Sequence, residues 1–186
     1  MFGDPLTSNN YGRVTLDKII KVNQGLQIPI SKRFDEYREN RYKYITIQFL
    51  NGGKEIEYIE NPKKSVMCTK DDVLMTRTGN TGRVITNVEG VFHNNFFKMD
   101  FDRKKINRDF LVKYFENDKV HNEILKRATT QTISDLSHSE FYKMSIDIPP
   151  LSLQITFAKI VQLIDKQKFH SALKNITMVK ESEVYA

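Results

Sequence analysis

Cysteine and tryptophan are nearly absent from this sequence. Its 186 residues include one cysteine, Cys68, and no tryptophan. A single cysteine excludes a disulfide framework and a zinc site built on cysteines, and it fits a reducing compartment. No motif pairs Cys68 with a histidine, so we expect a small packed side chain there and not a nucleophile.

The sequence also lacks long apolar runs. No stretch approaches the roughly 20 apolar residues of a membrane-spanning helix, and the N-terminal MFGDPLTSNN lacks the basic-then-apolar layout of a secretion signal. We therefore expect a cytoplasmic protein without a membrane partner. The length favours one domain plus an extension over two separate cores.

Signatures of catalysis are missing as well. The four histidines show no metal-ligand spacing, and Asp102-Arg103-Lys104 resembles a nuclease motif but has no upstream Pro-Asp partner. We interpret that triplet as a solvated turn, and a metal-dependent nuclease is the least favoured class. We expect a protein that is not an enzyme and needs no cofactor or metal.

The glycine-rich stretch RTGNTG, residues 77–82, is the most distinctive short motif. Gly79 and Gly82 are three positions apart and Arg83 follows, a spacing that fits neither a phosphate-binding P-loop nor a dinucleotide fingerprint. The motif instead predicts a tight connection between two strands, with Gly79 or Asn80 at positive φ.

Basic residues outnumber acidic ones. Lys and Arg total 29 against 23 Asp and Glu, which gives a net charge of +6 and a pI near 9.3. This balance fits a polyanion partner such as DNA, and an ordinary solvated surface explains it equally well. Basic and aromatic residues concentrate in residues 32–43, in Lys63-Lys64, around Arg77 and Arg83, and in residues 103–105.

The first half of the chain has the pattern of short strands. Alternation over residues 44–49 predicts a strand, Asn51-Gly52-Gly53 predicts a hairpin turn, and residues 54–60 follow as the return strand. Further strands are predicted at residues 73–76, 83–86 and 92–99.

The second half has the pattern of helices. Apolar spacing predicts one helix over residues 106–126, or two that meet near Asn117-Asp118, with Asn107 or Asp102 as a cap. Ser137 and Glu140 have capping-box spacing, which predicts a short helix there. A last strand, MSIDI, is ended by Pro149-Pro150.

After the two prolines the sequence changes character. From Leu151 to about residue 179 there is no Gly or Pro, and an apolar stripe at four-three-four spacing predicts a long helix whose coiled-coil pattern later slips. The stripe comprises Leu153, Phe157, Ile160 and Ile164. The helix either folds back on its own domain or projects to pair with another chain.

These patterns predict an α+β protein. A mixed, largely β domain with packing helices is expected over residues 1–150, followed by a long helix over residues 151–186.

Several segments, in their order and spacing, resemble one family. They are DDVLMTRTGNTGRV, GVFHNNFFKM, INRDFLVKYFEN and ATTQTISDLSHSEFYKMSIDIPPLSLQITFAKIVQLID. Over most of residues 71–165 they resemble a target recognition domain of the specificity subunit of type I restriction-modification systems. TTQTISDLSHSEF followed by IDIPPL is the most specific part. MFGDP at the start is similar to the junction that precedes a second recognition domain in such subunits.

The resemblance implies a DNA reader without catalytic activity. Specificity subunits resemble one another in carrying two recognition domains, each of which reads half of a bipartite DNA target. Their long helices set the spacing and bind methyltransferase subunits, and through them the restriction subunit. This sequence shows one domain and one helix, so it is a half-subunit that forms a homodimer through its helix, a fragment, or a recognition cassette exchanged by recombination.

On this interpretation the basic clusters are the candidate contacts with double-stranded DNA, and the apolar stripe of the last helix is the candidate assembly surface. We expect base contacts before Asp71, while Thr129, Thr130 and Gln131 fit a structural loop equally well. The alternative is an interaction or orphan protein that assembles through its C-terminal helix and reads no DNA. The expected DNA contacts are Lys32, Arg33, Arg38, Arg41, Lys43, Lys63, Lys64, Arg77, Asn80, Thr81, Arg83, Lys104 and Lys105.

Overall fold

The computed structural model describes residues 2–53, 55–128 and 135–184, with side chains described up to residue 171. Thr129, Thr130 and Gln131 lie outside the described residues. Within them the chain forms two four-stranded sheets, one two-stranded sheet and five α-helices. The class is α+β, as predicted.

The elements follow one another in a mostly β, then mostly α order. In chain order the strands are β1 (Arg13–Thr15), β2 (Ile20–Gln24), β3 (Arg41–Ile45), β4 (Tyr58–Glu60), β5 (Met67–Cys68), β6 (Val73–Thr76), β7 (Val84–Ile85), β8 (Gly90–Phe92), β9 (Phe96–Phe101) and β10 (Ser145–Asp147). The helices are α1 (Ile47–Leu50), α2 (Arg108–Phe115), α3 (Asp118–Arg127), α4 (His138–Tyr142) and α5 (Leu151–Val184).

The two larger sheets pack face to face. The first sheet is antiparallel with strand order β2-β9-β6-β7, and the second has the order β4-β3-β8-β5 with β3 and β8 parallel. Because side chains alternate along a strand, Val73 and Met75 of β6 face the helices, while Leu74 faces the second sheet. The result is three layers, with helices on one side and the second sheet on the other.

The main core lies between the first sheet and the helices. Its aromatic centre is fully buried: the Phe141 ring lies 4.9 Å from that of Phe97 and 5.7 Å from that of Phe115, measured between centroids. Smaller clusters lie between the sheets and on the outer face of the second sheet. Burial of this aromatic surface is the largest stabilising contribution that the packing offers.

Side-chain caps set the helix boundaries where the sequence predicts them. The side chains of Asn107, Asn117 and Ser137 accept hydrogen bonds from the main-chain N–H groups of Phe110, Lys119 and Glu140, at 3.0, 3.0 and 3.2 Å. Two helices meeting at Asn117-Asp118 and a helix capped by Ser137 are therefore confirmed. Asp102 does not cap α2; it accepts from the N–H of Lys104 in the preceding turn.

Two predicted strands are wrong in their extent. The strand predicted at residues 44–49 ends at Ile45, because the Thr46 hydroxyl accepts a hydrogen bond from the N–H of Phe49 and starts α1. The strand predicted at residues 92–99 is interrupted, since the N–H of Phe96 bonds to the carbonyl of His93 and closes a turn between β8 and β9. The return strand is confirmed only at β4, which pairs antiparallel with β3.

The N-terminal segment is tied to the end of β10. Asp147 accepts hydrogen bonds from the N–H groups of Asn10 and Tyr11 at 2.8 and 2.9 Å, and β1 pairs antiparallel with β10. The Arg13 guanidinium adds bonds to the carbonyl groups of Ser8 and Ser145. These contacts close the domain at the point where α5 begins.

Helix α5 starts directly after Pro149-Pro150 and is anchored at its base. The buried Gln154 amide donates to the carbonyl groups of Lys105 and Pro149 and accepts from the N–H of Asn107. Further along, α5 packs on α2, with Lys113 and Asp165 3.3 Å apart. The helix is about 51 Å long at 1.5 Å per residue. Its first turns pack on the domain. The side chains described beyond Asp165 are exposed, so this later part projects from the domain. None of the described helices is long and apolar enough to cross a lipid bilayer.

Candidate nucleic-acid interface

The glycine-rich loop connects β6 to β7, as its spacing predicts. Gly79, Asn80 and Gly82 have φ values of +66°, +38° and +83°, so the prediction of positive φ at this turn is confirmed. The Thr76 hydroxyl accepts from the N–H of Arg83 at 2.9 Å and donates to the carbonyl of Asn80. These bonds across the loop fix its shape before any ligand arrives.

Two of the expected DNA contacts, Arg77 and Thr81, make hydrogen bonds within the chain that hold this loop in place. Arg77 donates two hydrogen bonds of 2.8 and 2.6 Å from Nη2 to the Asp135 carboxylate, and a third from Nε at 2.9 Å. Thr81 is 3% exposed, and its hydroxyl donates to the carbonyl of Arg77. The structure therefore gives both residues intramolecular contacts that fasten the loop to the chain before α4.

The other two loop residues of the expected set point outward. Asn80 and Arg83 are exposed, and the Arg83 guanidinium donates to the Asn51 side chain at 3.1 Å. That bond connects the glycine loop to the turn that follows α1. Together, Asn51, Asn80 and Arg83 make a polar ridge where the β6–β7 loop of the first sheet meets the turn after α1.

Two arginines of the 32–43 cluster turn toward the domain. Arg33 forms a 3.0 Å ion pair with Glu57 and donates to the carbonyl of Ile28. Arg41 is buried and pairs with Glu60 at 3.1 Å, and its guanidinium carbon lies 3.6 Å from the centroid of the Phe34 ring. Planar, multiply bonded guanidinium groups suit such partly buried positions better than lysine ammonium groups.

The remaining basic residues around the second sheet are exposed. Lys43 extends from β3, and Lys63 and Lys64 precede β5. Across the described part of the chain, no ion pair forms at these three lysines, which we call the lysine rim. Lys32 is also exposed, and Arg38 reaches Glu36 only at 3.5 Å.

Lys104 and Lys105 lie elsewhere. Both are exposed in the turn between β9 and α2, and the carbonyl of Lys105 accepts from Gln154 in the first turns of α5. The structure thus places them beside the base of the long helix and not with the lysine rim.

A cleft opens beside the lysine rim at the start of β3. It has a volume of about 380 Å³, and we call it the tyrosine cleft. The Tyr37 ring is 72% exposed and lies edge-on to Tyr58, with 5.9 Å between centroids. The sequence analysis noted aromatic residues among the basic ones of residues 32–43, which include Tyr37 and Tyr42, but it named no tyrosine as a contact and did not consider Tyr58. The lining includes Tyr37, Tyr42, Lys43, Tyr58, Met67 and Glu89.

Titratable groups near this surface do not point to covalent chemistry. Burial raises the pKa of the Cys68 thiol to about 11, with the nearby Asp72 carboxylate acting in the same direction, so the thiol is protonated at neutral pH. Burial, and then the charge of Arg33, lower the pKa of His93. Among the described residues no group of three His, Cys, Asp or Glu side chains is placed to hold a metal ion.

The apolar stripe of α5 is divided by the structure. The Phe157 ring packs against Phe110 and Phe2, at 6.0 and 5.4 Å between centroids. Leu153, Ile160 and Ile164 are exposed, and so are Leu163 and Phe169, which the sequence analysis did not include in the assembly surface.

This polar, basic domain with a projecting helix matches a known family. The family described as "Type I restriction modification DNA specificity domain" matches residues 9–177. The chain belongs to this family. This match confirms the family that the sequence segments resemble. No curated protein sequence matches the chain significantly.

Solved chains from type I restriction-modification systems share the fold. A chain from a type I restriction-modification system, studied for its complex assembly and conformational transition, has a TM-score of 0.72 at 18% identity, over 97% of this chain and 44% of its own length. The HsdS subunit from Thermoanaerobacter tengcongensis has a TM-score of 0.65 at 18% identity, over 89% of this chain and 39% of its own. The S subunit from M. genitalium has a TM-score of 0.61 at 17% identity, over 87% and 42%. The present chain thus spans about two fifths of each matched chain.

Proposed function

We propose that this type I specificity domain reads one half of a bipartite DNA target and docks methyltransferase subunits through α5. Family membership supports DNA recognition. A half-target is supported by the single recognition domain that the described residues contain, because a two-part site needs two such domains. The restriction subunit would join through the methyltransferase subunits, and a homodimer through α5 would supply the second half-site reader.

The proposed DNA interface is supported mainly by a difference among the basic residues: some are engaged inside the domain and others are exposed to solvent. Arg33, Arg41 and Arg77 are engaged inside the domain, whereas the lysine rim faces solvent without ion pairs to other described residues. Lysines on phosphates give affinity and register but little sequence information. We therefore place the DNA backbone along the lysine rim, with Lys32 and Arg38 beside it.

The polar ridge would provide contacts of a different kind. Asn80 and Arg83 project from a loop whose own hydrogen bonds fix its shape. An arginine side chain held in place by Asn51 can meet the edge of a guanine with two donors, and an asparagine can meet adenine. Rigid presentation of such side chains favours discrimination between bases over mere attraction to DNA.

Assembly is supported by the exposed apolar side chains of α5. Ile160, Leu163 and Ile164 lie on the part of the helix that passes α2, and Phe169 lies on the part that projects. Exposed apolar side chains repeated along one helix are typical of a surface that another protein covers. The partner would be a methyltransferase subunit or a second copy of this helix.

A charge-reversal experiment tests DNA recognition. Lys43→Glu, Lys63→Glu and Lys64→Glu are combined in one variant, and Lys18→Glu, Lys126→Glu and Lys143→Glu make a control with the same net charge on the helical side. Binding of a fluorescent 25-base-pair duplex is followed by anisotropy between about 50 and 200 mM salt. Three lost phosphate contacts should lower the slope of log K against log salt by about 2.7.

The two variants separate the DNA reader from the alternative. The rim variant should bind weakly and with a shallow salt slope, while the control should lose less affinity. Equal losses in both variants would mean that only net charge matters. Absence of duplex binding by the unaltered chain at any of these salt concentrations, with or without a methyltransferase subunit, would favour the interaction or orphan protein.

A further inference from the structure

The tyrosine cleft contributes aromatic rings, whereas the lysine rim contributes positive charge. Tyr37, Tyr42 and Tyr58 contribute to its lining, and Met67 adds a polarisable apolar side chain. Base pairs within a stacked duplex expose their edges to a protein, and their faces are covered by neighbouring pairs. A surface of aromatic rings therefore matches a base that has left the stack.

The most exposed of these rings is held in place by its surroundings. The loop that carries Tyr37 is closed by two main-chain hydrogen bonds between Phe34 and Tyr58, at 3.0 and 2.8 Å. The Arg41 guanidinium lies against the Phe34 ring and donates to the carbonyl of Glu36 at 3.2 Å. Because the backbone around Tyr37 is held and its ring contacts Tyr58, ordering of this segment costs little when a ligand stacks on the ring.

Charge around the cleft selects a polyanion over a neutral partner. Lys43 belongs to the lining, and Lys64 stands three residues before Met67, which is also part of the lining. The one acidic side chain in the lining, Glu89, lies 3.5 Å from the Lys70 ammonium group. Phosphates on both sides of an unstacked base would thus meet ammonium groups.

We propose that the tyrosine cleft takes an unstacked nucleobase of the DNA bound along the lysine rim, with Tyr37 and Tyr58 as the stacking residues, since the pairing of Tyr58 with Lys43 puts both on one face of the β3–β4 pair. This inference rests on the proposed function, since the rim brings the strand to the cleft. Stacking on a tyrosine compensates for the lost base stack, and Lys43 holds the flanking phosphate. Binding at the cleft therefore depends on the free-energy cost of unstacking a base as well as on the hydrogen-bonding groups at the edge of that base.

Duplexes that differ at one position test the proposal. A matched 25-base-pair duplex is compared with the same duplex carrying a single unpaired adenine, because an unpaired base costs least to unstack. The unaltered chain should bind the bulged duplex about ten-fold more tightly. Tyr37→Ala combined with Tyr58→Ala should abolish this preference, since one stacked base contributes roughly 5- to 150-fold, and binding of the matched duplex should keep its salt slope.

Matched variants guard against indirect effects. Tyr37→Phe with Tyr58→Phe keeps the rings and should keep the preference. Ile30→Ala removes an exposed apolar side chain, 75% exposed, from the same side of the domain and should change nothing. 2-Aminopurine in place of the unpaired adenine should lose fluorescence when the unaltered chain binds and keep it with the double alanine variant. Binding of the matched duplex by that variant shows that it still folds and binds.

Each outcome decides one of the two proposals. Equal binding of matched and bulged duplexes overturns the cleft inference and leaves DNA recognition standing. A bulge preference that survives in the double alanine variant also overturns it, because the base would then be held elsewhere. Failure to bind either duplex overturns DNA recognition itself, and the inference falls with it.

Discussion

The two sides of the first sheet are built in different ways. Toward the helices, twenty buried residues form one continuous apolar cluster centred on Phe97, Phe115 and Phe141. Toward and beyond the second sheet, the described residues form only two small clusters, of six and four members, and guanidinium groups tie the strands and loops together. Apolar burial thus dominates the helical side. On the side that we propose reads DNA, which we call the recognition side, arginines that each have several partners add polar contacts.

This difference has a bearing on recognition. A core that depends on packing tolerates few changes, because each deleted methylene leaves a cavity. Where a few arginine contacts hold a surface together, neighbouring positions such as Tyr42 and Lys43 are not needed to stabilise the fold. If the second sheet reads DNA as we propose, it is the part of this domain in which DNA preference can change while the fold persists.

Deletion of the Phe141 ring should break the helical side. Phe141→Ala removes a fully buried ring that contacts Phe97 and Phe115, and we expect a loss of about 3 to 5 kcal/mol in the free energy of unfolding. Urea denaturation followed by circular dichroism measures it. Phe141→Leu, which keeps most of the volume, should cost less than half as much. A cost below about 1.5 kcal/mol for the alanine variant would contradict the view that this cluster dominates stability.

Removal of one hydroxyl should loosen only the recognition side. The Tyr44 hydroxyl donates to the carbonyl of Leu26 at 2.8 Å and accepts from the N–H of Ile28 at 3.0 Å, so Tyr44→Phe should cost about 1 to 2 kcal/mol. Hydrogen exchange at Ile28 should accelerate while the amides of α2 keep their protection. Tyr42→Phe, on the same strand but exposed, is the control. Accelerated exchange throughout α2 would show that the two sides unfold as one unit.

Mild acid should lower the free energy of unfolding through a histidine on each side, and this is the smallest of the three expected effects. Burial, and then the charge of Arg77, lower the pKa of His138 on the helical side, while Asp135 opposes this shift. The unfolded state then binds more protons than the folded state, so stability is fully present above a pH of about 6.5 and declines as the pH falls through the lowered pKa. Thermal unfolding of His138→Gln between pH 7.5 and 5 should show a flatter decline than the unaltered chain. His93→Gln provides the same measurement on the recognition side, and unchanged slopes in both variants would refute this origin of the pH dependence.

Sequence patterns were most informative where interactions are local. The caps at Asn107, Asn117 and Ser137 depend on residues within three positions, and the positive φ at Asn80 depends on the turn itself. The family resemblance carried the class of function. These parts of the fold could be read from the chain alone.

The second sheet could not be read in this way. Its strands are two to five residues long, too short for alternation to fix their ends, and the parallel pairing of β3 with β8 joins segments more than forty positions apart. Nor does composition distinguish an arginine engaged inside the domain from one that faces solvent. Arg41 and Lys43 are two positions apart on the same strand, and only the three-dimensional positions of Phe34 and Glu60 separate their surroundings.

The pairing of β1 with β10 also has a mechanical consequence. Arg13 lies opposite Asp147, so the ladder opens at the end where the N-terminal segment and α5 both attach. Tension that pulls α5 away from the N-terminal segment would load this ladder from its open end, and its residue pairs would separate one after another, starting with Arg13 and Asp147. Strain on α5 would then be released at the base of the helix, and the second sheet would keep its shape.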